Sequence, residues 1–257
     1  MLRFRSLASG SSGNATLVEA FDGLRRTRLL IDCGLSARQL DARLGRAGLS
    51  AAELDAIFIT HEHSDHIGSA LAVSARFGIP LWMSAGTSAA LSSAEPVPRP
   101  CLARDVQPIA IGGLLIQPFA VPHDTREPLQ LTCTDGDRRL GVLTDLGHVT
   151  AHALARLAGC HALMLESNHC TDLLAASRYP PFLKRRVGGP YGHLSNAQAA
   201  DALARLRHDR LHTVVGAHLS ERNNRPDLVR AGLAQALGCG ADDVLVSSRH
   251  GLDWLSV

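Results

Sequence analysis

Ile57-Phe58-Ile59-Thr60-His61-Glu62-His63-Ser64-Asp65-His66-Ile67-Gly68 is an apolar run of strand character that ends in three histidines and an aspartate. The apolar residues suit a short buried strand over residues 56–60, so packing fixes its end and the residues beyond leave the sheet together. Asp65 and His66 then fall at the start of a helix. Neutral imidazoles and a carboxylate suit zinc and similar divalent metals, and a strand end can hold them while leaving a coordination position open to water. Alternation pairs His61 with His63 for one metal, whereas Asp65 and His66, one turn further on, aim at a second site nearby. The pattern His-x-His-x-Asp-His thus predicts two metal ions. The alternative, a polar turn with unrelated histidines, leaves the four-position match as coincidence.

With 257 residues, 46% of them apolar, the chain can bury a large core in one domain or two fused halves, and we expect residues 1–257 to form a single domain. A formal charge of +2 gives no overall field to hold a long polyanion, although a local basic groove is compatible with it. Lys184 is the only Lys, and the other 25 of the 26 basic residues are Arg, a bias that points to genome composition rather than to phosphate binding. The six cysteines, Cys33, Cys101, Cys133, Cys160, Cys170 and Cys239, are scattered without a C-x-x-C pair, so neither a zinc ribbon nor a disulfide framework is indicated. No apolar run has signal-peptide or bilayer-spanning character. The expected location is the cytoplasm, with no membrane partner.

Outward from the motif, 2–8 and 15–20 read as strands joined by Ser9-Gly10-Ser11-Ser12-Gly13-Asn14, a turn whose backbone N–H groups could bind an oxyanion, with Asn14 reaching toward the metals. A strand over 28–33 precedes a capping box at Ser36 and Gln39 that opens a helix to about Ala47. Asp32, at that strand's end, either supports a metal-binding histidine from behind or serves helix entry. Helical spacing runs from His66 to Phe77, a short helix follows from Ala85 to about Ser93, and 95–100 is a proline-rich surface loop.

A strand over 114–121 leads into Pro122-His123-Asp124, and Asp135-Gly136 between apolar runs predicts a two-residue hairpin. In that register residue 145 falls opposite about residue 126, which returns Asp145 to the neighbourhood of His123. His123 then completes the first site with His61 and His63, and Asp145, with two oxygens, bridges both metals. The strand 161–166 ends at Glu166, and Glu166, Asn168 and His169 border the site as supporting residues at most. Residues 179–192 form the least regular segment, whose ring-bearing and basic residues, Lys184-Arg185-Arg186 among them, are expected to wall a substrate cleft. Ser195 and Gln198 form another capping box, so His193 lies just outside a helix N-terminus, whose dipole would lower its pKa. A strand over 212–217 ends in His218, which completes the second site with Asp65, His66 and Asp145. Pro226–Leu237 reads as a helix, with short strands closing the chain. His148, His152, His161, His208, His212 and His250 read as surface or core histidines.

His61-x-His63-x-Asp65-His66, then His123, Asp145 and His218, in that order over nearly the whole chain, resemble the metallo-β-lactamase superfamily. The resemblance implies an α/β fold, an αββα sandwich of two mixed β-sheets flanked by helices, with the metals at the sandwich edge. Ser9 to Asn14, the Tyr179 to Arg186 stretch, Gly192-His193-Leu194-Ser195-Asn196 and His218-Leu219-Ser220-x-x-Asn223-Asn224 resemble its bacterial YycJ/WalJ-type branch, which is similar to ribonuclease Z and to the cyclic phosphodiesterase of phosphonate breakdown. Where that branch commonly carries an acid after the Ser-Asn-His run, this chain has Cys170. The long basic arm by which ribonuclease Z holds tRNA is absent from the sequence.

The expected activity is that of a dinuclear metal-dependent hydrolase, a phosphodiesterase or nuclease. Two metals about 3.5–4 Å apart lower the pKa of a bridging water, and the hydroxide attacks phosphorus in line with the leaving oxygen. One metal is assigned to His61, His63 and His123, the other to Asp65, His66 and His218, with Asp145 between them. Zinc is the expected ion, with manganese or iron compatible with the same ligands. Asp65 would orient the hydroxide, and His193 would protonate the leaving alkoxide or stabilise developing charge. Asn14, Arg222 and Asn223 are candidates for phosphate contacts, and the substrate is a phosphodiester such as single-stranded nucleic acid. The alternative is an acyl hydrolase acting on a thioester, lactone or β-lactam at the same two metals. A regulatory module with an inactive site is disfavoured by the complete ligand set.

Overall fold

In the computed structural model, which describes residues 1–91 and 99–257, strand follows strand until the chain reaches its first capping box. The elements are β1 (Leu2–Ala8), β2 (Ala15–Phe21), β3 (Arg26–Ile31), α1 (Ala37–Arg46), β4 (Ala56–Phe58), α2 (Ser64–Ile67), α3 (Ala70–Phe77), β5 (Leu81–Ser84), α4 (Ala85–Leu91), β6 (Cys101–Ala103) and β7 (Ile109–Ile111). They continue with β8 (Leu114–Ala120), β9 (Leu129–Thr134), β10 (Arg139–Leu143), α5 (Ala151–Leu157), β11 (Ala162–Glu166), α6 (Thr171–Ala176) and α7 (Pro181–Val187). The last are α8 (Asn196–Leu206), β12 (Thr213–Ala217), α9 (Pro226–Leu237), β13 (Leu245–Val246) and β14 (Leu255–Ser256). Most of the expected loop at 95–100, and the expected end of the helix near Ser93, lie outside the described residues.

Among the described residues two seven-stranded sheets form, ordered β14-β1-β2-β3-β4-β5-β6 and β13-β12-β11-β10-β9-β8-β7. Each is mixed: β3 to β6 and β10 to β13 run parallel, and the rest of each sheet is antiparallel. Side-chain alternation sorts the core into three layers. Phe4, Val18, Leu29 and Phe58 of the first sheet meet Ile116, Leu131, Val142, Met164 and Val215 of the second in a central layer. Their neighbours in sequence point the other way, so Leu17, Leu30 and Ile57 pack on Leu40, Leu44 and Val73 of the helices over the first sheet. Leu163, Leu165 and Val214 likewise pack on Leu157, Leu203, Val229 and Leu233 over the second. The result is the expected αββα sandwich of two mixed sheets.

Three local expectations need correction. The hairpin between β9 and β10 is two residues longer, with Thr134 opposite Arg139, because the Asp135 side chain accepts from the backbone N–H of Asp137 and Arg138 and closes a wider turn. Residue 145 therefore falls opposite residue 128. The helical run after the metal motif is two helices, broken at Gly68 (φ 33°), where a Cβ would sit 2.4 Å from the Cys33 carbonyl oxygen. Residues 179–192 are not irregular throughout, since Pro181 pre-sets the first turn of α7.

Candidate metal centre

The parallel strands β3, β4, β10, β11 and β12 end at one rim, the position where open α/β sheets collect ligands. Asp32 follows β3, the motif from His61 follows β4, Asp145 follows β10, Glu166 ends β11 and His218 follows β12. Four non-glycine residues have positive φ among those described, and three of them are Asp32 (60°), Asp145 (55°) and His218 (52°). Each costs roughly 1 kcal/mol or more of backbone strain. The strain turns these side chains inward from the strand ends.

Two groups of three ligand atoms result. His61 Nε2 lies 3.2 Å from His63 Nδ1, which lies 3.3 Å from His123 Nε2. Asp65 Oδ2 lies 3.7 Å from His66 Nε2 and 3.6 Å from His218 Nε2. Between the groups, Asp145 Oδ1 is 3.9 Å from His123 Nε2, and Oδ2 is 3.1 Å from His66 Nε2. Metal–nitrogen bonds of about 2.0–2.1 Å in tetrahedral array require ligand edges of about 3.3 Å, close to the spacing of the first group. Asp145 Oδ2 and both His218 ring nitrogens are buried without a hydrogen-bond partner, although Asp145 Oδ2 approaches His218 Nδ1 to 2.9 Å. Buried polar atoms left unpaired on strained residues fit bound cations, which would satisfy them. The donor set of imidazoles and carboxylates fits as well.

The rings are aimed from behind. The Thr60 hydroxyl donates to Asp32 and lies 3.0 Å from His61 Nδ1; Asp32 Oδ2 is 2.8 Å from His66 Nδ1; His123 Nδ1 donates to the Gly192 carbonyl at 3.0 Å. Each contact leaves Nε2 facing the centre. Asp32 is therefore a support for His66 rather than only a helix-entry residue.

Glu166 does more than border the site. Fully buried, it accepts from the backbone N–H of Leu146 and Leu194, contacts His193 Nδ1 at 2.8 Å and lies 3.3 Å from His218 Nδ1. Burial raises a carboxyl pKa, but His193 and His218 outweigh it and bring Glu166 down to about 2. For His193, burial alone would lower the pKa, and the Glu166 carboxylate raises it above the usual imidazole value. The expected lowering by the α8 dipole is thus overruled: His193 stands two residues before the cap Ser195, whereas Glu166 touches it. Burial likewise opposes the charge on His66, yet Asp145 and Asp32 push its pKa up to about 10. Burial raises the Asp145 carboxyl, and His218 and His66 more than reverse that, holding it well below the usual range.

A cleft of about 320 Å³ opens over these groups, lined by His63, Asp65, Asp145, His193 and His218 and by Ser11, Asp124, Leu183, Arg186 and Val187. Asn14, Arg222 and Asn223 do not line it. Asn14 is buried, with its amide 3.1 Å from His66 Nε2 and 3.2 Å from the Asp65 carbonyl, because its carbonyl is committed to the N–H of Gly10. Asn223 is buried against Ser220, and Arg222 is exposed. Sequence reasoning passed over Thr60 and Asp124 and undervalued Glu166, whereas Arg186 stands on the cleft wall expected of residues 179–192. An acid closing an apolar strand next to parallel partners was the available signal for Glu166.

The profile described as the β-lactamase superfamily domain matches residues 27–215, which carry every candidate ligand but His218. The chain belongs to the metallo-β-lactamase superfamily. Membership implies divalent metal ions for a centre of this kind. Within the superfamily, the chain is 32% identical over 239 residues to exodeoxyribonuclease YycJ of Bacillus anthracis, covering 92% of this chain and 89% of that protein. It is 31% identical over 250 residues to exodeoxyribonuclease WalJ of Streptococcus pneumoniae serotype 2, covering 93% and 91%. These relatives place it in the YycJ/WalJ-type branch. The fold is shared with zinc-bound PqqB of Methylobacterium extorquens, with a TM-score of 0.72 at 18% identity over 99% of this chain and all of that one. Among the described residues, this metallo-β-lactamase-fold chain has no helix long and apolar enough to cross a membrane.

Proposed function

We propose that this metallo-β-lactamase-fold chain is a two-metal phosphodiesterase that removes nucleotides from DNA ends, as its curated relatives' names describe for them. The observation that carries the reading is Asp145, whose two carboxylate oxygens face two separate three-ligand groups at one cleft, with His193 held beside it by Glu166. His61, His63 and His123 would hold one ion and Asp65, His66 and His218 the other, with Asp145 shared. Bound there, two divalent ions supply Lewis acidity and lower the pKa of a water enough for attack on phosphorus at neutral pH. Zinc is favoured by the number of imidazoles, which also accommodate manganese or iron.

The protein's own residues do the rest. Asp65, in the second ligand group, lines the cleft, and its carboxylate can accept a proton from the attacking water and orient it. Glu166 engages His193 Nδ1, which leaves Nε2 as the nitrogen free to give a proton to the leaving alkoxide, and the carboxylate stabilises the charged ring that donates. Residues 1–257 work as one domain in this scheme, a reading supported by the central core layer to which both sheets contribute. The six unpaired cysteines support a reducing compartment, the cytoplasm. No observation favours the acyl hydrolase, whose apolar or thiol-conjugate pocket is replaced here by a wall bearing Arg186.

The test is hydrolysis of bis(p-nitrophenyl) phosphate and a labelled DNA oligonucleotide, alongside a thioester and a β-lactam, by wild type, Asp145→Ala and His193→Ala after metal loading. Diester cleavage is expected, abolished in Asp145→Ala, with His193→Ala lowering kcat roughly a hundredfold at unchanged metal content. Acyl cleavage without diester cleavage overturns the proposal.

A further inference from the structure

A net charge of +2 conceals a local imbalance. Residues 173–200 contain no Asp or Glu, whereas Arg178, Lys184, Arg185 and Arg186 all fall within them. This stretch builds one side of the cleft, supplying Leu183, Arg186, Val187, Gly192 and His193 to its lining. α7 has no buried residue, and it lies on the rim rather than in the core. Aromatic residues make up only 4% of the chain, yet Phe182 is 66% exposed and Tyr191 is 59% exposed, one at the start of α7 and one beside Gly192. Phe182 and Arg186 are four residues apart on the helix and so share a face.

Arg186 is fixed close to the chemistry. Its Nε donates to Asp124 Oδ2 at 2.6 Å, while Asp124 Oδ1 lies 3.5 Å from His123 Nε2 and 3.7 Å from His63 Nε2. One carboxylate therefore separates a guanidinium from the first ligand group. The Arg186 side chain is 60% exposed, and its two remaining guanidinium nitrogens are free of that bond. A small diester needs neither the rings nor the run of cations. A duplex hides its base faces within its own stack. A single strand presents both phosphates and unstacked bases, and cations interleaved with aromatic rings are the surface that holds one.

We propose that α7 and Tyr191 form a recognition wall for the single-stranded end of a DNA chain, with Arg185 and Arg186 holding backbone phosphates and the Phe182 and Tyr191 rings stacking bases. This rests on the phosphodiesterase reading above, and extends it from the bond that is cut to the strand that is gripped. Strand affinity should then depend on bases at the rings and on salt at the cations.

The experiment is fluorescence anisotropy of metal-loaded protein with a phosphorothioate-linked single strand that resists hydrolysis, against an abasic strand of equal length, over a salt series. Wild type is expected to prefer the base-bearing strand. Phe182→Ala and Tyr191→Ala should each weaken its binding roughly 5- to 100-fold, bring the preference for bases toward one and leave the salt slope alone. Phe182→Trp should keep the preference. Arg185→Ala should instead flatten the log–log salt slope by about 0.7, the share of one phosphate contact on a single strand. Equal binding of both strands by wild type, unchanged affinity in both ring variants, or tighter binding to anionic vesicles than to the strand overturns the wall. Hydrolysis of bis(p-nitrophenyl) phosphate read in parallel separates the two ideas: an active enzyme indifferent to bases removes only the wall, and an enzyme inert on every diester removes the phosphodiesterase itself.

Discussion

Asp32 sits one residue beyond β3 at φ 60°, and its two oxygens are divided between Thr60 and His66. It does not line the cleft, so any effect it has on chemistry passes through those neighbours. Removing the carboxylate frees the His66 ring to rotate and loosens Thr60, which lies against His61 Nδ1. Supporting carboxylates of this kind are worth about 10- to 100-fold in metal affinity. Asp32→Ala is expected to weaken binding at the second site by that factor in a chelator competition. Asp32→Asn, which tolerates the left-handed backbone and keeps a carbonyl acceptor, should fall between. Equal affinities for the three proteins would show that packing alone aims His66. The sequence displays the candidate ligands themselves because the histidines at these strand ends are patterned. It displays their supports poorly, since Thr60, Glu166 and Asp32 are ordinary residue types until the fold brings them behind a ring.

At the scale of elements, Glu19 ties three strands together. It stands opposite Arg3 of β1 and Arg28 of β3 in register, nearly inaccessible to solvent, and bonds the guanidinium groups of Arg3, Arg26 and Arg28 at 2.6–2.8 Å. Burial by itself would raise its pKa, but the arginines, Arg28 first, hold it below the usual glutamate range. A carboxylate with a depressed folded-state pKa stabilises the fold above its unfolded pKa and loses that contribution as the pH falls through the folded one. Glu19→Gln is therefore expected to cost about 2 kcal/mol at pH 7, the scale of a charged hydrogen-bond cluster with partly exposed partners. The gap should shrink below about pH 4.5 in urea titrations of the two proteins. A gap independent of pH would assign the effect to packing. Elements of this kind were readable from sequence where period and caps agreed, as in β1, β2, α1 with its Ser36 box and α9. The three-residue edge strands β6 and β7 are too short to show a period, and α7 buries nothing that would mark one face as apolar.

For the whole molecule, the centre concentrates opposed charge at the one rim shared by both sheets. Seven candidate ligands converge there from β4, α2, β8, β10 and β12, elements far apart in sequence, so no local folding unit contains the centre. Buried Asp145 Oδ2 and the His218 ring nitrogens have no hydrogen-bond partner and meet only by close approach, and three non-glycine residues there hold positive φ. Ions that bind the folded chain and not the unfolded one contribute RT ln(1 + [L]/Kd), about 4 kcal/mol at a thousandfold excess over Kd. For a chain of this length that corresponds to a Tm increase of roughly 10 °C. Because the ligands come from both halves of the sandwich, the increase is expected in a single cooperative transition monitored by calorimetry, with chelator returning it to the lower value. Asp145→Ala removes the carboxylate that both groups share, and its Tm should respond little to metal. Two transitions of which only one moves with metal would mean that the halves unfold separately and that the centre belongs to one of them. A metal-independent Tm in wild type would remove the proposed two-metal centre from the account of how this fold is held together.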